Sequence, residues 1–318
     1  MDKDVSKYVE ESFLQELLKT PDITDISFNG VSVFYVTSSK GRLKADIQIE
    51  SNKVGDFLRQ IANMSEKQFS HSSPILDVSF GRYRLNATYK SIARYCNEKV
   101  FSFDLRIESF ESKIDEDPSF FQGNSKDLIL EMLKSRQSIV VGGETSTGKT
   151  ELEKWLLRNM APNTRVIVID NIEELDILSI PQIDLTVWLG NDRNEAALFP
   201  SLIRNALRNN PDYIVVAEGR GGEMYDALVS ATSGHSLISS IHALDLESMP
   251  NRIVRLCMQG EQRSSVKELS TDVYHHIPYY IFLKREQKDD GSIQRYVESV
   301  GKVNKDGTMK VLYRREKC

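Results

Sequence analysis

The 318-residue sequence contains only three cysteines, no long hydrophobic run and no excess of positive charge. Cys96, Cys257 and Cys318 are odd in number and far apart, so they predict neither a disulfide framework nor a Cys-x-x-Cys metal site. Free structural thiols of this kind are typical of a reducing compartment. We therefore expect a cytoplasmic protein.

The lack of an apolar stretch approaching about 20 residues argues against a membrane-spanning helix. The start Met1-Asp2-Lys3-Asp4 also differs from a secretory signal, in which a basic region precedes an apolar one. Membrane association would therefore be peripheral or through a protein partner. A net charge of -5 and a pI near 5.7 give no overall basic field, which argues against a role centred on duplex nucleic acid.

An acidic segment that ends in proline, Glu108–Pro118, separates two parts of the sequence that have different patterns. Residues 1–112 predict a small α+β domain, and residues 113–318 predict an α/β domain with a mostly parallel sheet covered on both faces. In the first part, helical spacing of apolar residues predicts one helix over Val5–Leu17 and another near Val54–Asn63. The strands predicted there are Ile23–Phe28, Val31–Val36, Leu43–Glu50, Arg82–Tyr89 and Val100–Ile107.

A phosphate-binding loop is the most informative feature of the second part. The run Gly143-Glu144-Thr145-Ser146-Thr147-Gly148-Lys149-Thr150 matches G-x-x-x-x-G-K-T, after an apolar strand pattern and before a helical one. Glycines keep the turn free of Cβ atoms, so backbone N–H groups can surround phosphates at the positive end of a helix. Lys149 supplies charge to the β- and γ-phosphates, and Thr150 offers a hydroxyl to Mg²⁺. The sequence therefore predicts binding of a nucleoside triphosphate.

Acidic and histidine residues follow later parts of the α/β pattern. Asp170 ends one apolar run and is followed by Glu174, whereas Glu218 ends the next run. His235 closes the stretch that begins at Thr232, and His242 ends a further predicted strand. Carboxylates at the carboxyl edge of an open α/β sheet lie where ligands bind. Each residue alone is also explained as a helix cap or a satisfied polar group, but their order after a phosphate loop favours a catalytic site.

These motifs, taken in order, resemble a known family. The run Ala206–Glu223, followed by Ala227–His235, is similar to the signature of the type II/type IV secretion ATPases. These are the hexameric traffic ATPases of conjugation, secretion and type IV pili. The stretch Ile23–Gly30 resembles the opening of the family's N-terminal domain, and Asp170–Leu175 resembles its acidic box. The resemblance thus extends over nearly the whole chain.

The resemblance implies a RecA-like P-loop NTPase domain that hydrolyses ATP with Mg²⁺. It implies that Asp170 orients the attacking water, that His242 senses the γ-phosphate, and that Thr150 and Glu218 lie on the metal side. The catalytic residues that it implies are Lys149, Asp170, Glu174, Glu218 and His242. The nucleotide-binding residues that it implies are Gly143, Glu144, Thr145, Ser146, Thr147, Gly148, Lys149, Thr150, Arg84, Arg106, Arg204, Arg208 and His235. As partners it implies a homohexamer docked to channel or coupling subunits at the inner face of the cytoplasmic membrane, without direct sequence-specific binding of nucleic acid.

Two positions depart from the family pattern. Asp170 stands where the family has a glutamate, and Gly221 replaces the aspartate of Gly-Glu-x-Arg-Asp, with Glu223 as a candidate substitute. Because these changes could slow turnover, a nucleotide-binding ring scaffold with weak hydrolysis remains an alternative to the motor. The absence of a paired Cys-x-x-Cys insert and of an Ala-Ile-Arg-Asn-Leu-Ile motif favours a short conjugation-type ATPase. The closing segment Ile277–Leu283 also resembles that of the short conjugation-type ATPases. A pilus assembly or retraction motor remains an alternative.

Overall fold

The structure is a computed structural model that describes residues 2–108, 114–170, 174–175, 179–190, 194–260 and 264–316. It divides into two compact units. The N-terminal unit contains Met1–Phe110 and Gln287–Ile293, and the C-terminal unit contains Glu111–Glu286 and Gln294–Cys318. The predicted boundary between residues 112 and 113 lies outside the described residues, so it stays a prediction.

The N-terminal unit is built on a six-stranded sheet with the strand order β3-β2-β1-β8-β5-β4. Each neighbouring pair in this sheet is antiparallel. Strands β4, β5 and β8 alternate buried and more exposed residues, and α3 buries its apolar side in the same core. The elements described in this unit are α1 (Asp2–Glu10), α2 (Gln15–Leu18), β1 (Ile23–Phe28), β2 (Val33–Thr37), β3 (Gly41–Lys44), α3 (Ser51–Met64), β4 (Ile75–Phe80), β5 (Tyr83–Thr88), β6 (Arg94–Tyr95), β7 (Glu98–Lys99) and β8 (Ser102–Ile107).

The N-terminal unit differs from the sequence-based expectation in five elements. The single helix predicted over Val5–Leu17 is two helices, because the Ser12 hydroxyl donates to the Val9 carbonyl and accepts from the Leu14 amide, which competes with the helical ladder. The third predicted strand ends at Lys44, since its partner β2 begins at Val33 and offers no further backbone groups for pairing. Strand β4 and the two short strands β6 and β7 were not predicted.

The C-terminal unit is built on an eight-stranded sheet with the order β11-β10-β12-β13-β9-β14-β15-β16. The pairings from β11 to β14 are parallel, whereas β15 and β16 pair antiparallel. The described elements are a 3₁₀ turn (Ile114–Glu116), α4 (Ser125–Lys134), β9 (Ile139–Gly143), α5 (Lys149–Arg158), β10 (Arg165–Asp170), β11 (Asp184–Leu189), a 3₁₀ turn (Glu195–Ala197), α6 (Phe199–Leu207), β12 (Tyr213–Val216), α7 (Glu223–Thr232), β13 (Ser236–His242), α8 (Met249–Cys257), α9 (Val266–His276), β14 (Tyr279–Gln287), β15 (Ile293–Val303) and β16 (Met309–Arg314).

Two hydrophobic cores cover the two faces of this sheet. All residues of the central strands β9 and β12 are buried, which explains why their sequences are continuous apolar runs and not alternating ones. The parallel strands bring their carboxyl ends to one edge, where the loops after β9, β10, β12 and β13 begin. No helix among the described residues is long and apolar enough to cross a bilayer.

Candidate active site

The phosphate-binding loop joins the buried strand β9 to α5 at the carboxyl edge of the sheet. Gly148 precedes α5 with a φ of 94°, a left-handed conformation that favours glycine. A Cβ on Gly143 would lie 2.5 Å from Thr147 Oγ1 and 2.8 Å from the Leu283 carbonyl oxygen. Both glycines are therefore needed for the observed turn, which places backbone amides at the start of a helix.

The Lys149 side chain is buried at the base of this loop. Its Nζ donates to the carbonyl oxygens of Glu144 at 2.9 Å and Gly143 at 3.3 Å, and it lies 3.4 Å from His242 Nδ1. Desolvation lowers the pKa of Lys149, while Glu218, Glu153 and Glu174 oppose that effect by favouring the ammonium form. Carboxylates surround the Lys149 ammonium, and two loop carbonyl oxygens accept its hydrogen bonds. A bound phosphate would compete with these carbonyl oxygens for the three N–H donors of Lys149.

His242 connects the lysine to the carboxylate of Glu218. It ends β13 directly beside Gly143 of β9, and its Nε2 lies 3.0 Å from Glu218 Oε1. Because an ammonium can only donate, Nδ1 accepts from Lys149 and Nε2 carries the proton toward Glu218. The second Glu218 oxygen accepts from Arg220 Nη2 at 2.6 Å and Nε at 2.8 Å. A continuous polar chain therefore runs from Arg220 to the phosphate loop.

The departure at Gly221 has a structural consequence. The Arg220 guanidinium pairs with Glu218, whereas the Glu223 carboxylate accepts from the backbone amides of Arg220 and Gly221 at 2.6 and 2.7 Å. Glu223 therefore braces the turn before α7 through these backbone contacts, and the acid that holds the Arg220 side chain is Glu218.

The acidic box meets the loop at Thr150. The Thr150 hydroxyl donates to Glu174 Oε2 at 2.5 Å, and Asp170 Oδ2 accepts from the Leu175 amide at 2.7 Å. Asp170 is fully buried, and its carboxylate holds the backbone amide of the residue that follows Glu174. The Asp170 side chain is buried in this structure, and its predicted contact with the attacking water stays a prediction.

The side chains at this edge fit Mg²⁺ with a nucleotide phosphate. Mg²⁺ prefers oxygen ligands and usually binds through one or two protein groups together with phosphate oxygens and water. Thr150, Glu174 and Glu218 supply such oxygens, and Glu218 can do so while it accepts from His242 and Arg220, because a carboxylate has about four lone-pair sites. In the part of the chain that the structure describes, no group of three or more His, Cys, Asp or Glu side chains could hold a metal by itself.

Three predicted nucleotide-binding residues lie at the opposite edge of the sheet. His235 immediately precedes β13, so about 23 Å of strand, seven residues at about 3.3 Å each, separates it from the edge where His242 lies. Arg204 is in the last turn of α6 and Arg208 follows that helix, before the amino end of β12. Strand direction therefore separates these residues from the phosphate loop within one chain, and a joint site for all of them is not supported.

The two remaining arginines belong to the N-terminal unit. Arg84 and Arg106 lie directly opposite each other on β5 and β8, on the exposed face of that sheet. Arg106 Nε lies 3.5 Å from Asp25 Oδ1, and Arg84 Nε lies 3.9 Å from Asp77 Oδ1. They form one cationic pair flanked by acids, and their predicted nucleotide contact stays a prediction.

Sequence patterns missed two residues next to the loop. Glu153 is fully buried on α5, one turn after Lys149, and Arg295 donates from β15 to the Ser146 carbonyl oxygen. The sequence does contain an indication for Glu153, because helical spacing places this charged residue on the buried side of α5. It contains none for Arg295, because 149 residues separate Arg295 from its partner.

A family model described as Type II/IV secretion system protein matches residues 105–273, which is more than half of the chain. The chain belongs to this family. The predicted resemblance is thereby confirmed at the level of the family.

Individual relatives agree with this assignment. The chain is 30% identical over 293 residues to an uncharacterized protein of Bacillus anthracis, covering 88% of this chain and 63% of that protein. It is 33% identical over 141 residues to the type IV secretion system protein PtlH of Bordetella pertussis, covering 43% of this chain and 42% of PtlH. It is 30% identical over 164 residues to the type IV secretion system protein VirB11 of Brucella suis, covering 50% and 44%. The matches thus span less than two thirds of each relative.

Solved structures show the fold. The ATPase DotB of Legionella pneumophila superposes with a TM-score of 0.68 at 20% identity, covering 96% of this chain and 82% of DotB. DotB of Yersinia pseudotuberculosis gives a TM-score of 0.70 at 15% identity, covering 93% and 79%. The predicted fold class, an α/β domain with a mostly parallel sheet beside a smaller α+β domain, is confirmed.

Proposed function

We propose that this family member is an ATPase that binds MgATP at the phosphate loop and hydrolyses it to drive transport by a type IV secretion or conjugative machine. The observation that carries the proposal is the placement of Lys149, which bridges the loop carbonyls and the His242–Glu218 pair at the carboxyl edge of the sheet. Family membership supports the link to secretion. PtlH and VirB11, by their names, are type IV secretion system proteins, and this chain is similar to parts of both.

The reaction that suits these groups is attack of water on the γ-phosphorus, in which a new P–O bond forms and the bond to ADP breaks. Bound Mg²⁺ would neutralise charge on the phosphates. Lys149 would exchange its carbonyl partners for phosphate oxygens, and the loop amides would hold the α- and β-phosphates. Glu174, held by the Thr150 hydroxyl, is better placed than the fully buried Asp170 to orient the water and accept its proton.

The chain from Lys149 through His242 to Glu218 is the proposed sensor of phosphate state. When Lys149 turns to a phosphate, His242 Nδ1 loses its donor, so the balance of contacts at Glu218 and Arg220 changes. Because Glu218 follows β12 and Arg220 precedes α7, this change reaches the start of a helix. We further propose a homohexameric ring at the cytoplasmic face of the membrane, in which Arg84, Arg106, Arg204 and Arg208 act across domain or subunit boundaries.

A phosphate-release assay tests the enzyme. We expect steady release from wild type, background release from Lys149→Ala, and wild-type release from the matched control Lys134→Ala. Lys134 is exposed at the end of α4, away from the loop in sequence. Equal rates for wild type and Lys149→Ala would contradict the proposal.

The burial of Asp170 favours one second candidate, a ring scaffold that binds nucleotide and scarcely hydrolyses it. Mass measurement and particle images with and without a non-hydrolysable ATP analogue, combined with the release assay, separate the two. A closed ring that forms with the analogue while release stays at background would favour the scaffold. Loss of pilus movement and not of conjugation in a deletion strain would instead favour the pilus-motor alternative.

A further inference from the structure

Arg295 of β15 contacts the phosphate loop. Its Nε donates to the carbonyl oxygen of Ser146 at 2.8 Å. Its Cδ and the ring of Phe120 each lie 3.7 Å from the point that a Cβ on Gly148 would occupy. The β15 backbone is tied to the same segment, because the Val297 amide donates to the Phe120 carbonyl oxygen at 2.9 Å. The guanidinium is thus held by a strand and packed against the loop.

The contact controls the direction of one peptide group. The peptide bond between Ser146 and Thr147 is trans, so its C=O and its N–H point in opposite directions. Ser146 has a φ of 62°, a left-handed conformation that a non-glycine residue keeps only where its surroundings hold it. A donor that fixes the direction of the Ser146 oxygen therefore also fixes the direction of the Thr147 amide, which points the opposite way.

We propose that Arg295 is a positioning residue of the nucleotide site, which pre-orients the Thr147 amide toward the phosphates of a bound nucleotide. This inference rests on the proposed function. Arg295 does not act on the reacting atoms, and its contribution is a loop that is already shaped for the anion before binding. Loop amides bind the α- and β-phosphates, so the effect extends to ADP as well as to ATP.

Two variants separate the hydrogen bond from the charge. In Arg295→Gln, the side-chain nitrogen is the same number of bonds from Cα as arginine Nε, so a neutral donor remains at that position. In Arg295→Met, an apolar side chain of similar length removes the donor. We expect Arg295→Met to weaken binding of ADP and of a non-hydrolysable ATP analogue to the same extent, by roughly threefold to tenfold, the effect of one hydrogen bond. Arg295→Gln should bind within about twofold of wild type.

Kinetics give a second readout. Because the loop amides bind ground state and transition state alike, Arg295→Met should raise KM for MgATP by a similar factor and leave kcat close to wild type. Tryptophan-detected unfolding should be the same in both variants. Affinities that are equal in wild type and Arg295→Met would overturn the inference, and equal losses in Arg295→Met and Arg295→Gln would assign the effect to charge instead.

Hydrogen exchange tests the inference without nucleotide. We expect faster amide exchange in the peptide that spans residues 144–150 in Arg295→Met, with Arg295→Gln like wild type. Unchanged exchange in Arg295→Met would refute the positioning role. If wild type bound nucleotide no better than Lys149→Ala while the exchange difference persisted, the proposed function would fail and the loop brace would stand.

Discussion

Glu153 is a carboxylic acid buried without a hydrogen-bond partner among the described residues, which makes it the sharpest test of how this structure is stabilised. Its side chain is fully buried, and within the described residues neither carboxylate oxygen has a hydrogen-bond partner. Desolvation raises the pKa of Glu153 well above its ordinary value, and the negative charges of Glu174, Asp170 and Glu218 raise it further, while Lys149 opposes the shift. The folded state therefore favours the protonated form.

The sign of the pH dependence follows from this shift. The unfolded chain loses the Glu153 proton near a pKa of about 4.3, and the folded chain keeps it to higher pH. Stability therefore falls by up to about 1.4 kcal/mol for each pH unit above that point. Between about pH 4.3 and pH 7 the free energy of unfolding can therefore fall by at most about 4 kcal/mol. It falls by that amount if Glu153 stays protonated in the folded state over the whole range.

Glu153→Met removes this cost, because methionine has similar length, favours helices and needs no hydrogen bond. We expect the variant to be more stable than wild type by about 1–4 kcal/mol at pH 7, and the gain to shrink as the pH falls toward about 4.3. Urea unfolding at several pH values measures the difference. The sequence has only two tryptophans, Trp155 and Trp188, and both belong to the C-terminal unit, so their fluorescence reports on that unit.

Glu131→Met on the exposed side of α4 is the matched control and should show no such pH-dependent gain. The reasoning would be refuted by a Glu153→Met variant that is less stable than wild type at pH 7. A gain that stays constant between about pH 5 and 8 would also refute it, because the cost would then not arise from ionisation.

Three further predictions concern the C-terminal unit. Tyr280→Phe should raise the free energy of unfolding by about 1 kcal/mol, because the buried Tyr280 hydroxyl has no partner among the described residues. Tyr213→Phe should lower the free energy of unfolding by about 1 kcal/mol, because the Tyr213 hydroxyl donates to a carbonyl oxygen. Urea unfolding measures both changes, and the same change in the two variants would contradict these two predictions. Gly143→Ala should weaken binding of a fluorescent ATP analogue at least tenfold, about 1.4 kcal/mol, because the loop has no room for the alanine Cβ. An affinity equal to that of wild type would show that the loop adapts. Cys257, whose pKa burial raises to about 12, should resist alkylation in the native protein while the exposed Cys96 reacts; peptide mass mapping that finds Cys257 labelled before unfolding would count against its burial.

Local motifs were readable because their geometry is short-range. The phosphate loop is eight consecutive residues, and the strand before it and the helix after it follow from hydrophobic pattern alone. Asp170 and Glu218 were predicted at strand ends, and parallel pairing brings those ends to one edge. The split of the first helix was not predicted, since it depends on where the Ser12 hydroxyl points.

Order along the chain did not indicate which edge of the sheet a residue occupies. His235 and Arg208 lie in motifs that follow the phosphate loop in sequence, yet each precedes a strand and so lies at the amino edge. The resemblance to the family implied that Asp170, and not Glu174, orients the attacking water, and this role stays a prediction. In the structure Asp170 is fully buried, whereas Glu174 accepts a hydrogen bond from the Thr150 hydroxyl.

By itself, the sequence determined that a glycine cradle with Lys149 and Thr150 stands between a buried strand and a helix, because steric freedom and hydrophobic period act over neighbouring residues. Only the tertiary structure decided which distant groups complete that cradle. His242 meets Lys149 because β13 pairs with β9, and Arg295 meets Ser146 because β15 extends the same sheet. Such contacts depend on strand order and register, which arise when the whole chain packs.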